Sequence, residues 1–317
     1  DLDLSASNGE AGKLLIDPLN LTIADGSGAA TTDIIYEQTV ENLSVAGVGV
    51  IYRADHSDTL AALTDNELTG GSGDITLLTT MATDGFIVFN DLADTIRTTT
   101  GDITMISGTG GIHIGNLITG ALAQIASPGK IELLTIGGGD IVTGNLQALG
   151  GRNALISVVS SGDISVGNVK AATKSTPQAA SANAEVWLNA QGSINAQDIE
   201  ATANSSSTAS ASVHLLAGDI VTIDSAAAFE KGSAGTVTIE EGFTGPCLDC
   251  PTPAVITTTE TYTGTDTDTS TETFIGTDTV TNTETVTNTQ TATNTVTNTD
   301  TVTDTVTVTN TETVTNT

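Results

Sequence analysis

A short glycine-led unit recurs along the middle of the chain and restricts the fold more than any other feature. Copies begin at Gly110, Gly139, Gly162, Gly192 and Gly218, and the clearest read Gly-Asp-Ile-Val-Thr-Gly-Asn-Leu and Gly-Asp-Ile-Ser-Val-Gly-Asn-Val. Successive copies start 29, 23, 30 and 26 residues apart. A unit this short cannot bury an apolar face by itself, so repetition at this spacing predicts a solenoid whose units stack on one another.

Each of the later copies is accompanied by a second short apolar run, at residues 154–159, 184–188, 213–216 and 236–239. Short alternating runs that are punctuated by glycine are typical of β-strands. Glycine permits the positive φ of a tight corner, and an aspartate there can bond to its own backbone. One repeat is therefore predicted to be a strand, a Gly-Asp corner, a second strand and a variable loop. The predicted corner residues are Gly101, Asp102, Gly139, Asp140, Gly162, Asp163, Gly218 and Asp219.

The spacing and the core composition predict an all-β fold, a parallel β-helix over residues 1–241. A period near 25 residues fits one coil of such a helix. Aromatic residues make up only 3% of the chain, so the core must be built from Ile, Val, Leu and Ala. The Ala-, Ser- and Thr-rich stretches at 170–183 and 202–210 are expected to be loops, and helical periodicity is weak throughout.

Residues 242–256 differ from the repeats and are predicted to be a linker, because they hold three of the six prolines. They also hold both cysteines, Cys247 and Cys250. A local disulfide is the favoured interpretation, and a free pair or an intermolecular bridge are the alternatives. The neighbouring prolines leave no helix amino terminus to activate a redox thiol, and two further ligands for a zinc site are missing.

Residues 257–317 form a tail in which every odd position is Thr except Ile275. A strict period of two is a β pattern that places threonine on one face. Three interpretations stay open: O-linked sugars on a stiff stalk, hydrogen-bonded threonine ladders within a sheet, or a strand donated to a neighbouring subunit. The threonines considered for glycosylation or strand donation are Thr281, Thr287, Thr293, Thr299, Thr305 and Thr311.

Charge excludes several classes of partner. The chain has 38 acidic and 8 basic residues, a formal charge of −30, so nucleic acid and anionic lipid are not expected partners. Acid pairs such as Asp266 and Asp268 allow weak Ca²⁺ binding, but no EF-hand or complete β-roll motif is present.

The three histidines show no metal-ligand spacing, and the bases form no cluster of the kind that β-helix lyases use. No cofactor and no enzymatic activity are expected.

The export of the chain is inferred from what its sequence contains. No run of 18 apolar residues occurs, so no membrane-spanning helix is expected. Few thiols are compatible with export. The chain starts at Asp1 inside a predicted strand, and we expect a mature or excised segment of a longer precursor. An extracellular or cell-surface location is predicted.

The first 80 residues carry a resemblance to a known family. Residues 13–23, Lys-Leu-Leu-Ile-Asp-Pro-Leu-Asn-Leu-Thr-Ile, resemble the LLIDPxNITI segment of filamentous haemagglutinin-like passengers of two-partner secretion. Residues 34–78 resemble the next segment of those passengers: an unpaired strand, Asn42-Leu43, a Val/Gly-rich strand and Gly73-Asp-Ile-Thr-Leu. The resemblance covers about residues 1–240. It implies a right-handed parallel β-helix, export, and a role in adhesion or surface coating.

Two functions are compatible with these expectations. The favoured one is a non-enzymatic subunit that self-associates into an extracellular filament, sheath or fibre. The extended tail reaches about 200 Å and could span several subunits. The alternative is a monomeric adhesin passenger that binds glycans or the surfaces of host or neighbouring cells.

Overall fold

The computed structural model describes residues 13–16, 18–79, 84–120, 129–173, 181–205, 208–230 and 233–242. Over these residues the chain is a parallel β-solenoid, with one short helix among the described elements. The elements from the amino-terminal half are β1 (Lys13–Ile16), β2 (Asn20–Ala24), β3 (Ile34–Tyr36), α1 (Glu37–Val45), β4 (Gly49–Ala54), β5 (Ser57–Leu60), β6 (Glu67–Thr69), β7 (Ile75–Thr79), β8 (Phe86–Phe89), β9 (Thr95–Arg97), β10 (Ile103–Ser107), β11 (Gly111–His113) and β12 (Asn116–Thr119). The later elements are β13 (Gly129–Thr135), β14 (Ile141–Thr143), β15 (Leu146–Gly150), β16 (Asn153–Ser160), β17 (Ile164–Val166), β18 (Val169–Thr173), β19 (Ser181–Ala190), β20 (Ile194–Ala203), β21 (Thr208–Ala217), β22 (Val221–Glu230), β23 (Ser233–Ala234) and β24 (Thr236–Glu240).

One face of the solenoid, which we name face A, is a sheet of nine strands that takes one strand from each successive coil. Its order is β1-β4-β7-β10-β13-β16-β19-β21-β24. Neighbouring strands are parallel and in register, so that Ile103 lies beside Ile75 on one side and Ile131 on the other. Each coil therefore forms its backbone hydrogen bonds with the coils before and after it.

The remaining strands form two further faces, which merge near the carboxyl end. Face B carries β2, β5, β8, β11, β14 and β17, and face C carries β6, β9, β12, β15 and β18. The ten-residue strand β20 pairs with both β17 and β18, so one continuous strand replaces two. The middle coils thus have three strands each, and the coils from β19 onward have two long ones.

The interior is filled by columns of aliphatic side chains that repeat from coil to coil. The first column of face A is fully buried in seven successive strands, at Val50, Ile75, Ile103, Ile131, Ile156, Val186 and Val213. Burying one such side chain stabilises a fold by about 1.5–3 kcal/mol. The parallel β-helix predicted from the glycine-led repeat is therefore confirmed, with branched aliphatic residues as its core.

The predicted repeat differs from the structure in two respects. The middle coils contain a second corner, formed by the Gly-Asn of the repeated unit, so the unit spans two corners and not one. The Ala/Ser/Thr-rich stretches are partly strand, because β19, β20 and β21 extend into them. Alanine makes this possible: Ala171, Ala182 and Ala203 lie in these stretches at inward positions and are 3% exposed or less.

A nine-residue helix, α1, interrupts the strands near the amino terminus, within residues 34–78, where the resemblance implied strands and no helix. Val40 and Ser44 lie four residues apart on one side of it, and both are fully buried. The Ser44 hydroxyl donates to the carbonyl of Gly73 at 2.8 Å and accepts from the amide of Gly71 at 2.9 Å. The helix is thereby fixed to the turn that leads into β7.

Candidate interaction surface

The predicted Gly-Asp corners occupy two different places in the coil. Gly139-Asp140 and Gly162-Asp163 directly precede β14 and β17, and Gly218-Asp219 lies at the corresponding corner before β22, all on face B. Gly101-Asp102 instead precedes β10 on face A. The same three-residue sequence, Gly-Asp-Ile, therefore leads into two different faces.

At the face B corner, aspartates of successive coils are linked through the backbone. The amide of Asp163 donates to Asp140 Oδ1 at 2.8 Å, and the amide of Ser193 donates to Asp163 Oδ1 at 2.7 Å. A Cβ on Gly162 would lie 2.1 Å from Asp140 Oδ1, so the neighbouring glycine leaves room for this bond. Each carboxylate therefore accepts a backbone amide of the next coil, and this hydrogen bond joins the two coils.

The corner between faces B and C carries a ladder of asparagines. The amide of Asn145 donates to Asn116 Oδ1 at 2.8 Å, and the amide of Asn168 donates to Asn145 Oδ1 at 2.9 Å. The side-chain Nδ2 groups bond to the same oxygens, at 3.2 and 3.1 Å. Our sequence interpretation did not separate this corner from the first, although Gly-Asn recurs at 115–116, 144–145 and 167–168.

Asp102 lies in a less solvated setting than the face B aspartates. Its amide donates to Asp74 Oδ1 at 2.9 Å, and its own Oδ1 has no hydrogen-bond partner within the part of the chain described. Burial, assisted by the charge of Asp74, raises the pKa of Asp102 to about 7, although Lys130 opposes the rise. On the same face, Lys130 Nζ pairs with the buried Glu132 Oε2 at 2.8 Å.

The outer side of face A carries a row of aliphatic side chains, which we name the outer stripe: Leu78, Ile106, Leu134 and Val159. These residues are in register from β7 to β16 and are half-buried. Alternation points them away from the core, because their neighbours Leu77, Met105, Leu133 and Val158 point inward and are buried. Solvent-facing positions of a sheet are usually polar, so the outer stripe is a candidate contact surface.

The signal for the outer stripe was present in the sequence and was missed. At the same place in four successive coils two apolar residues stand side by side: Leu77-Leu78, Met105-Ile106, Leu133-Leu134 and Val158-Val159. A strand with one buried face should alternate, so each pair marks a position where the outer side chain is apolar as well.

An aromatic pair extends the outer side of face A toward the carboxyl end. The rings of Trp187 and His214 are stacked, with centroids 3.9 Å apart and planes inclined by 12°. Trp187 is the single tryptophan of the chain, and its Nε1 is buried without a hydrogen-bond partner among the described residues. Both residues are half-buried, so the rings, and not the buried Nε1, are the part of the pair that can contact another molecule.

A group of Asn20, His56, Ser57 and Asp84 contains the residue types of a nucleophilic triad, but not its geometry. His56 Nε2 lies 3.3 Å from Asp84 Oδ2, while its Nδ1 lies 3.2 Å from Asn20 Oδ1. Ser57 Oγ donates to Asn20 Oδ1 at 2.8 Å and not to the imidazole, so no base faces the hydroxyl. The arrangement ties β2 to β5 and offers no activated nucleophile.

A cavity of about 350 Å³ near the amino-terminal coils is lined mainly by carboxylates. Asp25, Glu37, Glu41 and Asp65 contribute to it, and burial raises the pKa of Glu37. Asp25 accepts hydrogen bonds from the amide and hydroxyl of Thr64, and these lower its pKa. Across the described ranges no group of three or more His, Cys, Asp or Glu residues is placed to hold a metal ion. Calcium binding stays a prediction.

Several predicted sites lie outside the described residues. These are Cys247, Cys250, the linker beyond Gly242 and the tail threonines from Thr281 to Thr311. The predicted domain boundaries at 242 and 256 stay untested for the same reason. His113, by contrast, is described, and it is exposed on β11 as alternation predicts. No helix among the described residues is long and apolar enough to cross a membrane.

Comparisons with known proteins gave no match: no family model matches the sequence, and neither a curated protein nor a solved structure matches it. The parallel β-solenoid is the fold that the resemblance to haemagglutinin-like passengers implies, whereas membership of that family stays a prediction.

Proposed function

We propose that this chain is a non-enzymatic structural β-solenoid of the cell exterior that associates side by side with further copies of itself into a filament, sheath or fibre. The observation that carries this proposal is the outer stripe. Side chains in register over four successive coils form a half-buried apolar row, and a second copy can cover the part that stays exposed with its own row.

The rest of the fold supports a mechanical role. Coils are joined by main-chain ladders, by buried aliphatic columns and by the asparagine and aspartate ladders at the corners. Because these ladders run on from one coil to the next, bending the stack would break hydrogen bonds between coils. The high negative charge keeps single copies soluble, and screening by salt lowers the repulsion between copies.

The proposal is tested with the full chain by sedimentation velocity and negative-stain electron microscopy over a range of protein and salt concentrations. We expect a polymer with an axial repeat that forms more readily as salt rises. The double variant Ile106→Lys/Leu134→Lys places two charges on the outer stripe and should abolish association. The matched control is His113→Lys/Val142→Lys, which alters two register neighbours on the outer side of face B.

Isolated rods at every concentration would overturn the assembly proposal. Equal loss of association in both double variants would show that added charge, and not the outer stripe, is responsible.

The second candidate is an adhesin, and the stacked Trp187–His214 pair favours it. Two stacked aromatic rings on the outer side of face A could hold the apolar face of a sugar. Binding of the full chain to an array of glycans, lost in Trp187→Ala and retained in His113→Ala, would support it. Absence of binding to any glycan at high protein concentration would count against it.

A further inference from the structure

A second row of side chains runs beside the outer stripe on the outer side of face A. Each member stands directly before a buried residue of the first core column, so alternation points it outward. We name this row the charged ridge, and its four half-buried members are Asp74, Asp102, Lys130 and Leu155. On every strand the charged ridge lies four residues before the outer stripe, a distance of about 13 Å.

The space between the two rows is lined by shorter or buried side chains. Its members are 9% exposed or less, and they are Thr76, Thr104, Glu132 and Ser157. A stable interface covers about 800 Å² of each partner, which four half-buried aliphatic side chains cannot supply. A copy that covers the outer stripe therefore has to cover the charged ridge as well.

Asp102 lies at the centre of a group of charges on this ridge. Asp74 faces it from the turn before β7, while Lys130 and Glu132 face it from β13. The amide of Asp102 donates to Asp74 Oδ1 at 2.9 Å, and Lys130 Nζ pairs with Glu132 Oε2 at 2.8 Å. Strand β10 itself, Ile-Thr-Met-Ile-Ser, adds no titratable group. Asp102 thus shares one cation with two other carboxylates.

We propose that side-by-side association over the outer side of face A takes up a proton at Asp102, an inference that rests on the assembly proposed above. A second copy that covers an ionised Asp102 removes its remaining water while the carboxylates of Asp74 and Glu132 stay beside it. The protonated acid carries no charge, and its hydroxyl can donate a hydrogen bond. Each Asp102 that the contact covers binds one proton from the solvent, and no other covalent bond changes.

The surroundings of Asp102 also set the pH range of this coupling. Burial and the charge of Asp74 already raise the pKa of Asp102 to about 7 in the single chain. Covering by a second copy removes more water and raises the pKa further. Association is therefore strongest below pH 7. Above it, association weakens by up to about tenfold per pH unit for each Asp102 that the contact covers.

The test is sedimentation velocity of the full chain from about pH 6 to about pH 8.5 at constant ionic strength. We expect the association constant of the native chain to fall by about tenfold or more over this range. Asp102→Asn cannot bind or release the proton, so its association constant should change by less than about twofold. Circular dichroism at each pH shows whether the chains stay folded.

Two controls separate Asp102 from other sources of pH dependence. Asp163→Asn removes the same charge at an exposed corner of face B and should keep the native pH dependence. Histidine is the other side-chain type that takes up protons near neutral pH, and His214 lies on the outer side of face A. His214→Gln should also keep the native pH dependence, and its loss there would assign the proton to the imidazole instead.

The remaining outcomes distinguish this inference from the assembly proposal. Equal pH dependence in the native chain and Asp102→Asn would overturn proton uptake at Asp102. If Ile106→Lys/Leu134→Lys still abolished association in that case, the assembly proposal would stand. Stronger association at high pH in the native chain would contradict the sign of the coupling. Absence of association in both chains at every pH would overturn both proposals.

Discussion

The sequence Gly-Asp-Ile occurs at two kinds of corner in the solenoid, and its aspartate has different surroundings at each. Asp163, at the face B corner, is exposed, and its Oδ1 accepts the amide of Ser193 in the next coil. Asp102, at the corner into face A, lies among Asp74, Lys130 and Glu132, and its pKa is raised to about 7 by burial. The motif therefore determines the turn of the backbone. The residues of the neighbouring coils determine the burial, the hydrogen bonds and the pKa of the carboxyl group.

The difference lies in the ladder partners. At the face B corner, Asp140 and Asp163 are each followed one coil later by an aspartate or a serine whose amide they accept. At the face A corner the next coil supplies Lys130, and the outer side of the sheet adds the buried Glu132. Substitutions of matched residues at the two corners can therefore show whether the surroundings or the turn itself sets the role of each aspartate.

The largest effect is expected from adding a methyl group at the glycine of each corner. A Cβ on Gly101 would lie 2.2 Å from the main-chain oxygen of Gly73, so two coils must separate. At Gly162 the closest atom, at 2.1 Å, belongs to the Asp140 side chain, which can rotate away, and the nearest main-chain oxygen, that of Gly138, lies at 2.9 Å. We expect Gly101→Ala to cost about 3 kcal/mol or more and Gly162→Ala about 1–2 kcal/mol in urea unfolding followed by circular dichroism. Equal costs would mean that backbone contact does not distinguish the corners.

The second prediction concerns pH and uses Asp102→Asn, with Asp163→Asn as the matched control. A carboxyl whose pKa is raised on folding stabilises the fold below its unfolded pKa, and that stabilisation is lost as pH rises through the folded value. Asparagine cannot ionise, so the variant should match the native chain near pH 4 and exceed its stability above pH 7. The gain is on the order of 2–4 kcal/mol.

Unfolding midpoints measured from pH 4 to pH 8 check this expectation. Asp163→Asn keeps an acceptor oxygen at an exposed position and should change stability by less than about 0.5 kcal/mol over the same range. A flat difference between Asp102→Asn and the native chain would show that the Asp102 carboxyl is not held neutral by its surroundings.

The two corners also show how far the sequence could lead. The stacked fold and the corner geometry followed from glycine spacing, since both are set by local backbone chemistry. The two kinds of corner could have been separated as well: Asp140 and Asp163 are each followed by Gly-Asn within five residues, and Asp102 is not. The buried setting of Asp102 was out of reach, because Lys130 and Glu132 come from the next coil and approach only once the register between strands is known.

A smaller effect is expected from deleting one aspartate side chain of the face B corner. Asp163→Ala removes the acceptor of the Ser193 amide, which should cost about 1 kcal/mol. Asp219→Ala is the matched control at the last such corner, and we expect it to cost less than about 0.5 kcal/mol. Exchange of the Ser193 amide should rise in the first variant only. A comparable loss in both would mean that the aspartates act through the local turn and not through contact between coils.

The smallest effect separates the corners by their response to salt. Asp140 and Asp163 are exposed aspartates of adjacent coils, linked through the Asp163 amide, and their charges repel each other. Asp140→Asn keeps the oxygen that accepts this amide and removes one charge, so it should stabilise by about 0.2–0.5 kcal/mol at low ionic strength. Salt at about 1 M shortens the screening length to about 3 Å and should erase this gain. The gain from Asp102→Asn above pH 7 arises mainly from burial and should persist in the same salt. If salt removed the stability gains of Asp140→Asn and Asp102→Asn equally, Asp102 would be as well solvated as Asp140. The two corners would then differ only in their backbone geometry.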